Sequence, residues 1–239
     1  MFWRRSREAA AALDRMHPVH QLLVRHRVLS TAQNRAGWEA LLASLGRHQA
    51  EVPGRRWALP PRTFDVLVPL LDLLCQDLDA RGVLSVTADL RGPRDATGRR
   101  GLPVRPPVRS ATEWWTVDPW LTLNARLGDG SVLRVSVVDR VRHREVVKRS
   151  RSGKTKTKRK TKEVQVIRVS RALPRGARGQ RPASRPPQWM RVRVRDGARV
   201  AVAATAKLNR LPRGPEQVDS ILLVAAEPFR WTERRAAAA

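Results

Sequence analysis

The chain of 239 residues contains no tyrosine and a single cysteine. Because Cys75 has no partner within the chain, the sequence excludes an intrachain disulfide and a zinc site built from cysteines. Cys75 lies in an apolar helical stretch and is predicted to be a small core residue. No apolar run approaches the ~20 residues that a helix needs to cross a bilayer. The N-terminal arginines are not followed by the apolar segment of a signal peptide, so we expect a cytoplasmic protein.

Acidic residues are also scarce. The chain has 21 Asp and Glu against 48 Lys and Arg, which gives a formal net charge of +27. Nothing in folding requires so much charge of one sign, and such a field favours polyanions. Nucleic acid is the first expected partner, and an acidic membrane or protein surface is the second. The length suits one large domain or two small ones, and it is sufficient for a real core.

Lysine is rare everywhere except in one segment. Arginine supplies most of the positive charge, alongside abundant alanine and proline, which is typical of a GC-rich genome. Only seven of the 48 basic residues are lysine, and six of the seven fall between positions 148 and 162. This segment, which contains RSRSGKTKTKRKTK, runs against the compositional bias and is therefore the most informative part of the chain.

The pattern of apolar and polar residues divides the chain into two parts and a tail. Residues 1–82 read as helical, residues 83–231 as an antiparallel β part, and residues 232–239 as a disordered tail. The sequence predicts an α+β fold in which N-terminal helices pack on an antiparallel sheet of about six or seven strands. The stretch SILLVAAEPFRW is interpreted as the final strand. Turns are predicted at Gly128-Asp129-Gly130 and at Asp196-Gly197.

Within residues 1–82, one helix is predicted in the segment that begins PPRTFDVLVPLLDLLC. Thr63 is its predicted N-cap, Gly82 its C′ residue, and Pro69 is expected to kink it. Three aspartates at seven-residue spacing, Asp65, Asp72 and Asp79, share one face of this helix. Such a stripe is typical of a solvated helix face, and the alternative is a docking surface for a basic segment.

The lysine segment is flanked by strand-like sequence on both sides. A turn at Ser152-Gly153 predicts a hairpin in which Arg149 lies opposite Lys156 and Val138 opposite Ile167. Its outer part, about residues 140–163, has little apolar surface to bury. We therefore expect a protruding two-stranded arm about 35 Å long.

Alternation places the lysines at 154, 156, 158, 160 and 162 on one face of the arm, about 6.8 Å apart. Residues 140–162 carry six arginines and six lysines against Glu145 alone, a net charge of +11. Lysine offers compact charges suited to phosphate oxygens, and the intervening threonines add hydroxyl donors. The arm is predicted to grip a nucleic-acid backbone with weak sequence selectivity, aided by a flexible basic loop at about 172–188. The predicted contact residues are Arg140, Arg142, Arg144, Lys148, Arg149, Arg151, Lys154, Lys156, Lys158, Arg159, Lys160 and Lys162.

The tryptophans offer two interpretations. Trp114, Trp115 and Trp120 cluster in EWWTVDPW. Exposed aromatic rings stack on unpaired bases, whereas buried ones would fill the space between the sheet and the helices. The second interpretation is favoured.

Motifs for catalysis are not evident. SGKT lacks the first glycine and the following helix of a phosphate-binding loop. His143-Arg144-Glu145 lacks the paired cysteines of a zinc deaminase. His17 and His20 are interpreted as ordinary surface or capping histidines. No catalytic residue, metal or cofactor is predicted, and the chain is expected to be non-enzymatic.

Two alternatives to simple binding remain open. The first is a nucleic-acid enzyme, such as a metal-dependent nuclease, if Asp89, Asp118 and Asp139 converge in the fold. The second is an adaptor whose arm docks an acidic protein surface, including the aspartate stripe of another copy in self-association. The sequence also allows a role within a larger nucleoprotein assembly.

Overall fold

The structure, a computed structural model, describes residues 2–79, 81–93, 96–150 and 152–232. The predicted tail beyond Thr232 and the predicted contact residue Arg151 lie outside these residues. Two short irregular turns, 55–57 and 63–67, accompany five helices and eight strands. In chain order these are α1 (Phe2–Asp14), α2 (Pro18–His26), β1 (Val28–Gln33), α3 (Arg35–Glu51), α4 (Val68–Gln76), β2 (Leu84–Asp89), β3 (Ala96–Gly101), β4 (Val108–Arg126), β5 (Val132–Arg149), β6 (Thr155–Ala172), β7 (Met190–Arg195), β8 (Ala201–Leu208) and α5 (Pro215–Arg230).

The eight strands form one antiparallel sheet, so the α+β class is confirmed. The strand order is β1-β2-β4-β5-β6-β8-β7, and β3 pairs with β4 at the side. Two of the eight strands were not predicted. β1 lies in the segment interpreted as helical, where VLSTAQ pairs with β2, and β3 lies in the segment interpreted as a Pro/Gly/Arg loop. Neither has the long apolar alternation on which a strand prediction rests.

The segment SILLVAAEPFRW is not a strand but the larger part of helix α5. The buried residues of α5 include Val218, Ile221 and Val224, which recur at three-residue spacing on one helical face. Pro215 stands at the start of the helix, where its missing N–H removes no hydrogen bond. The apolar run SILLVAA masked this period, since a continuous run fits a buried strand as well as a helix.

The helical segment that contains Pro69 is irregular, as expected, but the irregularity is a π-helical turn. Residues 63–67 form one π-helical turn immediately before α4, and Pro69 lies in the first turn of α4. Proline cannot donate the regular backbone hydrogen bond, and a π-turn absorbs that loss. Thr63 lies buried inside the helical segment and is therefore not its N-cap.

The predicted C′ glycine also has another role. Helix α4 ends at Gln76, well before Gly82. A Cβ atom at Gly82 would lie 2.8 Å from the backbone oxygen of Arg126 and 2.9 Å from that of Asp79. Gly82 therefore permits a close approach of two backbone segments.

One face of the sheet packs against the helices in a single hydrophobic cluster. Trp38 of α3 is fully buried and donates its indole N–H to the backbone oxygen of Leu84 in β2, at 3.0 Å. At the other side the guanidinium of Arg171 in β6 lies 4.0 Å from the ring centroid of Phe229 in α5. Cys75 lies in the cluster, as predicted, and burial raises the pKa of its thiol to about 11. Among the described helices, none has the length and apolar character to cross a membrane.

A chain of buried hydrogen bonds joins α2, α3 and the turn after α3. His20 Nδ1 lies 2.9 Å from Ser44 Oγ, His20 Nε2 lies 3.0 Å from His48 Nδ1, and His48 Nε2 lies 3.0 Å from the backbone oxygen of Trp57. That oxygen can only accept, so His48 Nε2 carries a proton. Burial lowers the pKa of both histidines, which favours neutral rings near pH 7. With both rings neutral, His48 Nδ1 accepts from His20 Nε2, and His20 Nδ1 accepts from the Ser44 hydroxyl. His17 caps α2 through Nδ1, as predicted, but His20 is buried rather than on the surface.

Candidate nucleic-acid interface

Strands β5 and β6 pair without interruption from their base to their outer end. Val132 lies opposite Ala172 at the base, and Arg149 lies opposite Thr155 at the outer end. The predicted register is therefore wrong by one residue. The cause is the turn: the Ser150 N–H donates to the backbone oxygen of Lys154 at 2.8 Å, so the loop is longer than a two-residue Ser-Gly turn.

The one-residue shift changes which side chains share a face. Even-numbered residues of β5 lie opposite even-numbered residues of β6. The lysines of β6 therefore share a face with arginines of β5, and not with Glu145. We call this face the outer face of the arm, and the cations that β5 and β6 place on it are Arg140, Arg142, Arg144, Lys148, Lys156, Lys158, Lys160 and Lys162.

Most of these cations are solvent-exposed. The four lysines of β6, Lys148 and Arg144 are exposed, whereas Arg140 and Arg142 are half-buried. Among the described residues one acid forms ion pairs on this face: Glu113 of β4 lies 3.8 Å from Arg142 and 4.0 Å from Arg100 of β3. Lys154 lies in the turn just before β6 begins. Eight of the twelve predicted contact residues are thus brought together on one surface.

The opposite face of the arm is more mixed. It carries Arg149 and Arg159, and Arg159 forms an ion pair of 2.8 Å with Glu145. The ring of Trp114 stacks on His143, with centroids 5.2 Å apart and planes 12° apart. Two of the predicted contact residues therefore point away from the other eight.

The outer part is wider than a two-stranded ribbon. β4 pairs with β5 as far as Val108 opposite Lys148, and β3 pairs with β4 at residues 96–101. The prediction of a two-stranded arm is therefore wrong, and the arm has three strands and a short fourth. The reason is that residues 108–118, which include the two adjacent tryptophans, extend β4 beyond the core. Because added strands supply hydrogen bonds and side-chain contacts, the arm is better supported than a free hairpin.

The three tryptophans separate. Trp120 is fully buried in the core, where the guanidinium of Arg62 lies 4.4 Å from its ring centroid. Trp114 and Trp115 are half-buried on opposite faces of the arm. Of these three tryptophans, Trp120 alone fills the space between the sheet and the helices.

Two of the scattered aspartates meet at the root of the arm. Asp118 of β4 lies directly opposite Asp139 of β5, and both are buried. Arg62 lies between them, with its Nη2 2.8 Å from Asp139 Oδ2 and its Nη1 3.8 Å from Asp118 Oδ2. Gln165 donates its side-chain amide to Asp139 at 2.8 Å. A guanidinium thus occupies the position that a metal ion would need.

The carboxyl of Asp118 titrates abnormally. Burial raises its pKa to about 6, against the lowering effect of Arg62, and the charges of Asp139 and Asp89 raise it further. Among the described residues no group of three or more His, Cys, Asp or Glu side chains is arranged to hold a metal. The site is a buried ion-pair network at the base of the arm.

The aspartate stripe is not continuous. Asp65 lies in the π-turn, Asp72 lies in α4, and Asp79 lies beyond the end of α4, 3.8 Å from Arg126. The segment from Leu173 to Pro187 contains no strand or helix and is mostly exposed, as expected of the basic loop. Its first residue, Leu173, is buried against the body.

Sequence reasoning missed a second set of cations on the body of the sheet. Arg134, Arg168, Arg191, Arg193 and Arg195 are exposed on the face that points away from the helices. The alternation in MRVRVR was a usable signal, because period two places its arginines on one face. Arg134 of β5 and Arg168 of β6 could be assigned to this face only once the strand register was known.

Comparison with family models, with curated proteins and with solved structures found no match to this chain.

Proposed function

We propose that this protein binds nucleic acid through its phosphate backbone, using the outer face of the arm. The observation that carries the proposal is the even-to-even register of β5 and β6, which gathers eight cations on one surface. Successive lysines of β6 lie about 6.8 Å apart, a spacing comparable to that of phosphates along an extended strand. Like charges so close together destabilise a free sheet, and bound phosphates would offset that repulsion.

The expected binding is strong at low salt and weakly sequence-selective. Phosphate contacts position a protein on nucleic acid and carry no base information. Lysine, with its rotating ammonium, tolerates varied phosphate geometry better than arginine with its planar fork. Hydroxyls on the other face, from the threonines of β6, are directed away from the proposed contact and serve strand formation instead.

A matched pair of variants tests this proposal. Lys158→Gln with Lys160→Gln removes two charges from the outer face, and Arg149→Gln with Arg159→Gln removes two from the opposite face of the same arm. Binding to duplex DNA, single-stranded DNA and structured RNA is measured across a salt series for each variant. Log K against log salt should flatten by about 1.8 for duplex DNA in the lysine variant, at about 0.9 per phosphate contact.

The control variant should retain most of the slope of the unaltered protein. Equal flattening by both variants would mean that net charge and not the outer face governs binding. No flattening by either would refute the proposal and favour an acidic protein partner. The polymer with the highest affinity identifies the substrate class.

A further inference from the structure

The outer face of the arm carries an aromatic ring as well as cations. Trp115 of β4 lies directly opposite Arg142 of β5, which in turn lies opposite Lys162 of β6. Residues that lie opposite each other share a face of a sheet, so Trp115 belongs to the outer face. Its half-buried side chain therefore lies among the cations that are proposed to hold phosphates.

Trp115 lines a shallow depression of about 560 Å³. The other residues that line it are Gly98, Arg100, Glu113, Val117 and Arg140. Its volume lies within the range of about 300–1,000 Å³ that small-molecule sites occupy. The depression therefore has room for a nucleobase beside the ring.

An irregularity of β3 keeps this depression open. The pairing of β3 with β4 is interrupted by a bulge between Thr97 and Arg100, and Thr97 is the backbone partner of Trp115. Gly98, within the bulge, has a φ of 68°, and among the described residues a Cβ atom there would meet nothing within 4 Å. A glycine at this position supplies the positive φ of the bulge and leaves the space beside Trp115 unfilled.

Polar groups lie beside the ring in the same depression. The carboxylate of Glu113 lies 3.8 Å from Arg142 and 4.0 Å from Arg100, so two guanidinium groups balance its charge. Guanidinium donors and carboxylate acceptors are groups that hydrogen-bond to the edges of bases. An aromatic ring with such groups beside it suits a nucleobase, which has a π face and polar edges.

The neighbouring Trp114 has a different environment. It lies on the opposite face of the arm, where its ring stacks on His143 with centroids 5.2 Å apart. The guanidinium of Arg99 also lies 5.2 Å from the centroid of the Trp114 ring. Two contacts within the protein thus engage this ring, away from the cations of the outer face. Trp114 is therefore a matched control for Trp115, since both are half-buried tryptophans of β4.

We infer that Trp115 is a stacking platform for an unpaired base, and that the arm binds single-stranded nucleic acid in preference to a duplex. This inference rests on the proposed function of the arm and specifies its ligand. In a duplex both faces of a base are covered by its neighbours, and extruding a base costs free energy. A single strand offers its bases without that cost, and stacking on an aromatic ring accepts any base.

The distances across the sheet allow one strand to use both kinds of contact. Lys162 lies two strands from Trp115, a separation of about 10 Å at about 4.8 Å per strand. A lysine side chain reaches part of this distance, and the sugar and phosphate of a stacked nucleotide reach the remainder. The base would therefore lie over β4 while its backbone runs along β5 and β6.

The test compares ligands that have the same phosphates but differ in their bases. The full-length protein is titrated with a thymidine single strand of about 12 nucleotides, the same strand without bases, and a duplex of equal length. The unaltered protein should bind the thymidine strand about 5- to 150-fold more tightly than the abasic strand, from one stacked base. A uridine strand measured in parallel shows whether RNA or DNA is the better source of the unpaired base.

Substitutions at the two tryptophans assign the effect to one ring. Trp115→Leu keeps an apolar side chain without a ring and should abolish the advantage of the thymidine strand over the abasic strand. Trp115→Phe should retain part of that advantage, because a smaller ring remains. Trp114→Leu, on the opposite face, should retain all of it.

The salt dependence separates this inference from the proposed function. Trp115→Leu removes no charge, so the slope of log K against log salt should equal that of the unaltered protein. Lys158→Gln with Lys160→Gln should flatten the slope for a single strand by about 1.4, from two lost phosphate contacts at about 0.7 each.

Three results would overturn the inference and leave the proposed function in place. They are equal affinity of the unaltered protein for the thymidine and abasic strands, tighter binding of the duplex than of the thymidine strand, and equal losses for Trp114→Leu and Trp115→Leu. An unchanged slope in the lysine variant would instead refute the proposed function. The comparison of thymidine and abasic strands needs no substitution, so it decides the matter even if Trp115→Leu does not fold.

Discussion

The buried histidines predict a specific sensitivity to acid. Burial lowers the pKa of His20 from 6.5 to about 4, and the nearby charges of His48, His17 and Arg47 lower it further in the same direction. Burial also lowers the pKa of His48, against the raising effect of its hydrogen bond to the Trp57 carbonyl. Between pH 6.5 and 4 the unfolded chain therefore binds a proton at His20 that the folded chain does not bind.

The sign and size follow from linkage. Stability rises with pH wherever the unfolded state holds more protons, so the contribution of His20 is complete above its unfolded pKa of 6.5 and lost as the pH falls towards about 4. The loss is about 1.4 kcal/mol per pH unit, or about 3 kcal/mol over the whole window. Compared with a typical total stability of about 5–15 kcal/mol, this is a large fraction.

Asp118 acts in the opposite direction. Its pKa is raised from 3.8 to about 6, so between these values the folded chain holds the extra proton, and stability from this group rises as the pH falls. The two effects oppose each other in the unaltered protein. For this reason the informative quantity is the difference between variants at each pH, and not the pH profile of the unaltered protein alone.

The assay is urea unfolding followed by tryptophan fluorescence at pH 7.0, 6.0, 5.5, 5.0 and 4.5. His20→Gln keeps a donor and an acceptor but does not titrate. Its difference in unfolding free energy from the unaltered protein should shrink by about 1.4 kcal/mol per unit as the pH falls below 6.5. His26→Gln, at an exposed histidine of α2, is the control and should show no comparable trend. A difference for His20→Gln that is independent of pH would refute the reasoning.

Three further predictions concern packing and the ion-pair network. Gly82→Ala should destabilise the fold by about 1–3 kcal/mol, because its Cβ would meet two backbone oxygens. Gly46→Ala in α3, where nothing lies within 4 Å of the added atom, should instead stabilise the fold by about 0.5–1 kcal/mol. Urea unfolding compares the two variants, and a similar effect at both sites would contradict the close approach at Gly82. Arg62→Met should cost about 3–5 kcal/mol at pH 7.5, since it leaves the buried carboxylates of Asp118 and Asp139 without their cation. Much of that loss should be recovered on adding Asp139→Asn, and an additive double variant would argue against the coupling. Asp118→Asn removes this titration, so in the same urea assay its unfolding free energy relative to that of the unaltered protein should fall by about 1.4 kcal/mol per pH unit as the pH is lowered from 6 to 4. A difference that is independent of pH would contradict the raised pKa of Asp118.

The α+β class followed from the sequence because alternation in the long strands is strong. In β5 and β6 apolar residues recur at every second position near the core, and glycine with positive φ at Gly130 marks the turn between β4 and β5. The turn predictions at Gly128-Asp129-Gly130 and near Asp196-Gly197 agree with the strand ends. Local chemistry was sufficient for these features.

The missed features all depend on partners distant in the chain. β1 is short and gains its hydrogen bonds only from β2, some 50 residues later. The sequence of α5 fits a strand, and it forms a helix because one helical face packs against the rest of the fold. The register of the arm was decided by one residue in a turn, and that residue determines whether lysine shares a face with arginine or with glutamate.

The residues of the candidate site were predicted, but their distribution over the two faces of the arm was not. Twelve basic residues were predicted from the sequence. Alternation within one strand, however, does not show which residues of the neighbouring strand share its face. The aspartates at the root show the same limit. Their convergence was foreseen as a condition for metal binding, but Arg62, about 56 positions before Asp118, could not be placed between them from local pattern.

The outer edge of β6 has a consequence for handling this protein. From Thr155 to Val164 no described strand pairs with that edge, because β8 joins β6 only from Gln165 onward. An open edge is a template for edge-to-edge association between copies, and like charges discourage it. We therefore expect the charge of these lysines to keep copies of the protein apart. Salt that weakens their repulsion, or substitution that removes it, should promote oligomers, and light scattering at high salt would detect them before any precipitate forms.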